Sequence, residues 1–164
     1  MLKCNSLPPF GQLPRLQELV IGGMDSITKI DEGLYGEERV FLQLKEFILD
    51  CMESLEEWIT VYSYGKDSAN ELMFPNLERL TIWDCPKLRI KPHPPKAHEW
   101  MIWNSDNVVS SWEENVQHIV GSSSSFRVTK LMVRSCKVPL HQWRLLHHLT
   151  ALNIEYCSDL TCLA

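Results

Sequence analysis

The chain has 164 residues, 45% of them hydrophobic, and a formal net charge of −5. That length holds one compact domain or one run of a longer repeat array. Its Lys and Arg residues are dispersed, which argues against a nucleic-acid footprint and a polybasic membrane anchor, and no stretch reaches the roughly 20 apolar residues that span a bilayer.

The first ten residues contain Lys3 but no apolar core, so they do not read as a secretory signal. From there, six blocks share one spacing, with apolar residues at the first, fourth and sixth places. In chain order they are Leu16-Leu19-Ile21, Leu44-Phe47-Leu49, Leu77-Leu80-Ile82, Ala97-Trp100-Ile102, Val128-Leu131-Val133 and Leu149-Leu152-Ile154. Ninth-place residues follow: Met24, Met52, Cys85, Ser105, Cys136 and Cys157. Three places further on stand Ile27, Leu55, Leu88, Val108, Pro139 and Leu160. Side chains alternate along a strand, so places four and six share one face and the residues between them point to solvent. One such strand cannot bury its apolar face alone, whereas stacked copies share a continuous core. The ninth residue ends the strand and is expected inside, where a polar tip can bond the turning backbone.

Block starts at 16, 44, 77, 97, 128 and 149 are separated by 28, 33, 20, 31 and 21 residues. The longer gaps predict inserted loops at 60–74 and 110–126, the second carrying Ser122 to Ser125. Pro92, Pro94 and Pro95 predict an extended connection. Between blocks the expectation is loops, 3₁₀ turns and short helices, with 112–120 and 140–148 the best helical candidates. Neither end carries the polar cap that solenoids need, which predicts a fragment of a longer protein.

The spacing L-x-x-L-x-L-x-x-(N/C)-x-x-L is the signature of leucine-rich repeats. The expected fold is therefore α/β: a leucine-rich-repeat solenoid, or horseshoe, over 1–164. Its parallel β-sheet would line the concave face, with irregular loops and short helices on the convex side. The six cysteines fit this frame better than a disulfide scaffold, because Cys85, Cys136 and Cys157 share one repeat place and Cys4 fits the same place in a truncated first repeat. Cys51 and Cys162 lie outside that column, and no C-x-x-C pair offers a zinc site.

Chemistry finds little support. His141, His147, His148, His93 and His98 lack an H-E-x-x-H motif or matching Cys partners, so they read as surface or packing residues. Ser122 to Ser125 read as a linker without a nucleophile elbow, and Glu53, Glu56 and Glu57 as a solvated acidic turn. The informative surface is the outward strand face. Its seventh places are Gly22, Asp50, Trp83, Trp103, Arg134 and Glu155, and its fifth places Val20, Ile48, Thr81, Met101, Met132 and Asn153. In-register stacking would gather Trp83, Trp103, Met101, Met132 and Arg134 into one exposed patch, a mixture enriched at binding hot spots. The competing reading tucks these side chains under irregular loops.

Several segments resemble a known family. Residues 7–16, LPPFGQLPRL, resemble a linker of plant intracellular disease-resistance receptors, the nucleotide-binding leucine-rich-repeat proteins of coiled-coil type. Residues 74–88, FPNLERLTIWDCPKL, resemble their repeat, and Leu55-Glu56-Glu57-Trp58 resembles their LEEW segment. The resemblance runs over nearly the whole chain and is weakest from Arg89 to Phe126, where Ala97 and Ser105 replace bulkier core residues. It implies a cytoplasmic interaction module that senses pathogen effectors or modified host proteins and helps hold a nucleotide-binding switch off. The absence of an N-x-[ST] acceptor accords with the cytosol. The partners implied are proteins: an effector, a guarded host protein or the receptor's own nucleotide-binding domain, with no nucleic acid and no membrane. No enzyme activity and no cofactor are expected of this chain. It lacks G-x-x-x-x-G-K-[ST], so ADP or ATP would belong to a nucleotide-binding domain elsewhere in the parent. The alternatives are a substrate adaptor of a ubiquitin ligase and a truncated, non-functional receptor fragment.

Overall fold

Alternation of apolar and polar residues builds the main sheet of the computed structural model, which describes residues 5–36, 41–60, 74–91, 95, 97–108, 128–137 and 149–157. Six five-residue strands form at the six blocks: β1 (Glu18–Gly22), β3 (Glu46–Asp50), β5 (Arg79–Trp83), β7 (Glu99–Trp103), β8 (Lys130–Arg134) and β9 (Ala151–Glu155). They pair in parallel in the order β1-β3-β5-β7-β8-β9. The register is uniform, so equivalent places stand side by side: Leu19 beside Phe47, Phe47 beside Leu80, Leu80 beside Trp100 and Trp100 beside Leu131. This succession of parallel strands in an α/β chain with few helices is compatible with a solenoid-like fold.

The inward places are dry from β3 to β8. Phe47, Leu49, Leu80, Ile82, Trp100, Ile102, Leu131 and Val133 are at most 2% exposed. Burying each such side chain stabilises the fold by about 1.5–3 kcal/mol before chain entropy is set against it. Place twelve joins the same core through Ile27, Leu55, Leu88 and Val108.

The connections hold a 3₁₀ turn at Phe10–Gln12 and a short helix of the expected kind, and also strands that the spacing did not predict. A second parallel sheet, β2 (Lys29–Ile30), β4 (Glu57–Ile59) and β6 (Arg89–Lys91), runs in the order β2-β4-β6. Each of its strands sends one apolar residue inward, Ile30, Trp58 and Ile90 respectively. Trp58 stacks on Phe47 with centroids 5.0 Å apart, which joins the second sheet to the first through the core. Glu57, read from sequence as part of an acidic turn, lies in β4, 3.8 Å from Lys91 on β6. A short helix, α1 (Glu32–Tyr35), is capped by Asp31, whose carboxylate accepts the Gly33 N–H at 3.1 Å. It delivers Tyr35 into a cluster with Phe41 and Phe74, where its hydroxyl accepts the Trp58 indole N–H at 2.7 Å. Burial pushes the Tyr35 phenol well above its ordinary range, so it stays neutral.

Every main-sheet strand ends in the same way. Place eight is left-handed in all six blocks, at Gly23, Cys51, Asp84, Asn104, Ser135 and Tyr156. That turn aims its N–H at the next strand's place-seven carbonyl. Gly23 donates to Asp50, Cys51 to Trp83, Asp84 to Trp103, Asn104 to Arg134 and Ser135 to Glu155, all within 3.0 Å. The ladder thus continues one residue past the strands.

Place nine then turns inward at Met52, Cys85, Ser105 and Cys136, all buried. The Cys85 thiol donates to the Trp83 carbonyl at 3.4 Å and reaches the Leu49 carbonyl of β3 at 3.9 Å. Cys136 and Cys157 repeat this with Arg134 and Ile102, and with Glu155 and Val133. Ser105 serves the same purpose with an oxygen, accepting the Cys85 N–H at 3.0 Å and donating to the Trp103 carbonyl at 2.9 Å.

Two inward places depart from expectation, both at the margins of the described sheet. Met24 is 37% exposed and Leu152 is 50% exposed. A place-nine side chain is covered by the strand before it, and β1 has none among the described residues. Leu152 lies on β9, which pairs only with β8 among the described residues. The predicted loop at 60–74 except its end residues Thr60 and Phe74, the predicted loop at 110–126, the helical candidates 112–120 and 140–148, and Cys4, Cys162, Pro92, Pro94, Pro139, Leu160, His93, His141, His147 and His148 lie outside the described residues.

Candidate functional site

The outward face of the main sheet is built from places three, five and seven. At place seven the register sets Asp50 beside Trp83, Trp83 beside Trp103, Trp103 beside Arg134 and Arg134 beside Glu155. The two indoles lie flat on each other, with centroids 4.3 Å apart and planes 10° from parallel. The Arg134 guanidinium stands 4.3 Å from the Trp103 centroid and 4.9 Å from that of Tyr156. Its Nε lies 3.5 Å from a Glu155 carboxylate oxygen, an ion pair without hydrogen-bond geometry. The result is a continuous stack of indole, indole, guanidinium and phenol. Each cation–π contact contributes about 0.5–1 kcal/mol at an exposed site.

The stack remains open to solvent. Trp83 is 39% exposed, Tyr156 75%, and the Arg134 side chain 34%. The alternative in which loops cover these residues does not hold for Trp83. Beside the stack, place five forms an apolar aisle: Val20, Ile48, Thr81, Met101 and Met132 stand in register. Val20 is 54% and Met101 38% exposed, while Met132 is half-buried. The structure therefore places Trp83, Trp103, Arg134, Met101 and Met132 on one face.

Sequence reading missed two parts of this face. Tyr156 follows its strand by one residue and carries no apolar spacing signal, yet the left-handed turn brings its ring under Arg134. Place three holds a charge ladder that the same spacing argument would have found. Glu46, Arg79, Glu99 and Lys130 stand in register, with Arg79 3.6 Å from Glu46 and 3.3 Å from Glu99, and Lys130 3.2 Å from Glu99. The hydrogen bond from Lys130, seconded by Arg79, holds the Glu99 carboxyl below its ordinary value. Such exposed pairs contribute under about 1 kcal/mol each, so the ladder fixes the charge pattern more than the stability. A cavity of about 760 Å³ opens beside the strand starts, bordered by Glu18, Glu46, Arg79, His98 and Glu99.

The chemistry of the thiols is quiet. Cys51, Cys85, Cys136 and Cys157 are free. Burial pushes the Cys85 thiol up to about 12 and the Cys136 thiol up to about 11. Exposed Cys51 also rises to about 11, chiefly through its hydrogen bond with the Asp50 carboxylate. Thiols held protonated are poor nucleophiles and poor metal ligands. Among the described residues no three His, Cys, Asp or Glu side chains converge as metal ligands, and no helix is long and apolar enough to cross a membrane.

Comparison with known proteins relates the chain to plant disease resistance. Over 93 residues, 52% of this chain, it is 33% identical to the disease resistance RPP13-like protein 1 of Arabidopsis thaliana. The matched region spans 8% of that protein's length. No family model matches the chain, and no solved structure matches it.

Proposed function

We propose that this chain is a recognition module, the leucine-rich-repeat part of a cytoplasmic plant immune receptor of the nucleotide-binding, coiled-coil type. Its repeats coil into a horseshoe whose concave surface is the outward face of the six-stranded sheet. That surface binds protein: a pathogen effector, a modified host protein or the receptor's own nucleotide-binding domain, the last contact contributing to autoinhibition. The chain performs no catalysis and holds no cofactor, ADP and ATP being bound elsewhere in the parent.

The observation that carries this reading is the exposed stack of Trp83, Trp103 and Arg134 beside Met101 and Met132. A soluble fold gains little by holding two indoles and a guanidinium half in water. A binding surface gains much, because such side chains present large, ordered contact area at small entropic cost. The relation to the Arabidopsis disease-resistance protein supports the setting in plant immunity.

The test is a cell-death and co-precipitation assay in leaf tissue with the full-length parent receptor. Trp83→Ala/Trp103→Ala is compared with Glu53→Ala/Glu56→Ala, which alters exposed residues off this face. Truncating hot-spot aromatics costs about 2 kcal/mol or more each, so the Trp pair is expected to lose recognition by well over tenfold at matched protein levels. A Trp pair that behaves like the glutamate control removes the face from recognition.

A further inference from the structure

The place-seven row is unevenly filled, and its gap has a definite chemistry. On one side of the indole pair, Arg134 lies against the Trp103 ring and pairs with Glu155. On the other side stands a second carboxylate, Asp50, in register with Trp83. Trp83 makes its one ring contact among the described residues with Trp103, and Asp50 has no cationic partner among them. Ring and carboxylate thus recur on this side without the guanidinium.

The shape preserves the gap. Asp50 is far shorter than the indole beside it, and the next position in the row is Gly22. A Cβ at Gly22 would stand 2.9 Å from the Asp50 carbonyl oxygen, closer than packed atoms approach. The row therefore steps down from Trp83 to Asp50 to bare backbone. Val20 and Ile48, at place five of β1 and β3, border the recess with apolar surface. The electrostatics point the same way. All three cations of the outward face are already paired: Arg79 with Glu46 and Glu99, Lys130 with Glu99, and Arg134 with Glu155. Among the described residues Glu18 and Asp50 remain as surplus carboxylates at the β1–β3 end.

We propose that the recess formed by Trp83, Asp50 and Gly22 receives an arginine side chain from a partner protein, flanked in that partner by apolar residues. The incoming guanidinium lies against the free face of Trp83 and pairs with Asp50, extending the stack by one layer. Its apolar neighbours rest on Val20, Ile48 and Met101. Arginine suits the site better than lysine, because a planar guanidinium both stacks on an indole and bridges a carboxylate. The assignment rests on the recognition face proposed above and names the chemistry of its partner.

The test titrates the full chain into fluorescein-labelled peptides of equal length in which leucine alternates with arginine, citrulline or glutamate, read by fluorescence anisotropy at physiological ionic strength. Citrulline keeps the shape of arginine and removes its charge. The arginine peptide is expected to bind at least about fivefold tighter than the citrulline peptide, a ratio typical of one cation–π contact with one ion pair. Asp50→Asn should bring the two together, while Glu56→Gln, an equal charge change away from the face, should leave the ratio intact. Thermal unfolding checks that each variant is folded. Equal binding of arginine and citrulline peptides, equal losses in Asp50→Asn and Glu56→Gln, or no binding of any peptide overturns the assignment. Trp83→Leu/Trp103→Leu separates the two levels of the argument. If that pair weakens every peptide while Asp50→Asn changes nothing, the face recognises protein but the arginine recess is wrong. If the pair changes nothing either, the recognition face fails with it.

Discussion

Six residues in equivalent positions turn through left-handed backbone, with φ between 48° and 64°. For an L-residue that conformation costs about 1–2 kcal/mol relative to the right-handed one. The molecule tolerates the cost at Cys51, Asp84, Asn104 and Ser135 because each turn aims an N–H at the next strand. Asp84 and Asn104 offset part of it, the Asn104 amide donating to the Asp84 carboxylate at 2.9 Å. Ser135 has no such side-chain bond among the described residues and is exposed. Ser135→Gly is therefore expected to stabilise the chain by about 1 kcal/mol, and Ser135→Val to destabilise it by a similar amount. Chemical denaturation of the two variants should give midpoints on opposite sides of the parent. Midpoints in the same order as side-chain size would contradict the left-handed turn. This column was only half legible in the sequence. Gly23, Asp84 and Asn104 are residue types that favour the conformation, but Cys51, Ser135 and Tyr156 are not marked by type, and only the shared place eight connects them.

Elements repeat the same division between legible and hidden. The main-sheet strands follow directly from apolar spacing, because a one-residue slip would expose both inward places at once. Even Ala97-Trp100-Ile102, where the family resemblance is weakest, forms a strand with all three side chains buried. The second sheet could not be read this way. Its strands are two or three residues long with one inward residue each, too short for alternation to register. Place nine was legible as a buried column, but its hydrogen bonds were not, since a thiol reveals its partner only once the neighbouring strand is in place. The burial of that column carries a pH dependence whose sign is definite. Burial raises Cys85 to about 12 and Cys136 to about 11 from an ordinary 9.0, so the folded chain keeps protons that the unfolded chain releases. The stabilising contribution is fully present below about pH 9 and is lost as pH rises through the folded values. Unfolding followed from about pH 8 to 11 should show stability falling, and falling less steeply in Cys85→Ser, which has no thiol to titrate there. An unchanged slope in that variant would mean that Cys85 is not held in the dry column.

At the scale of the molecule, the two sides of one sheet do different work. The inward side joins β1 to β8 into a single core with the second sheet, and the outward side arranges three rows: charge at place three, apolar surface at place five, and the aromatic–guanidinium stack at place seven. The candidate face was legible in sequence as a list of places, because equal spacing implies adjacency. Its geometry was not. The stacking of Trp83 on Trp103, the reach of Tyr156 to Arg134 and the step at Gly22 depend on rotamers and on a backbone turn that spacing does not encode. All of this rests on places four and six facing in while place seven faces out. Thermal unfolding of Leu80→Asp, Ile82→Asp and Trp83→Ala tests that division directly. Leu80 and Ile82 are fully buried, so an aspartate at either place lodges an unpaired charge in the core and should cost more than about 4 kcal/mol, enough to abolish the cooperative transition in a marginally stable fold. Trp83→Ala forfeits one stacking contact on the solvent side, about 1 kcal/mol, and should lower Tm by only a few degrees. Equal loss of the transition in all three variants, or an aspartate at Leu80 that leaves Tm unchanged, would contradict the assignment of faces.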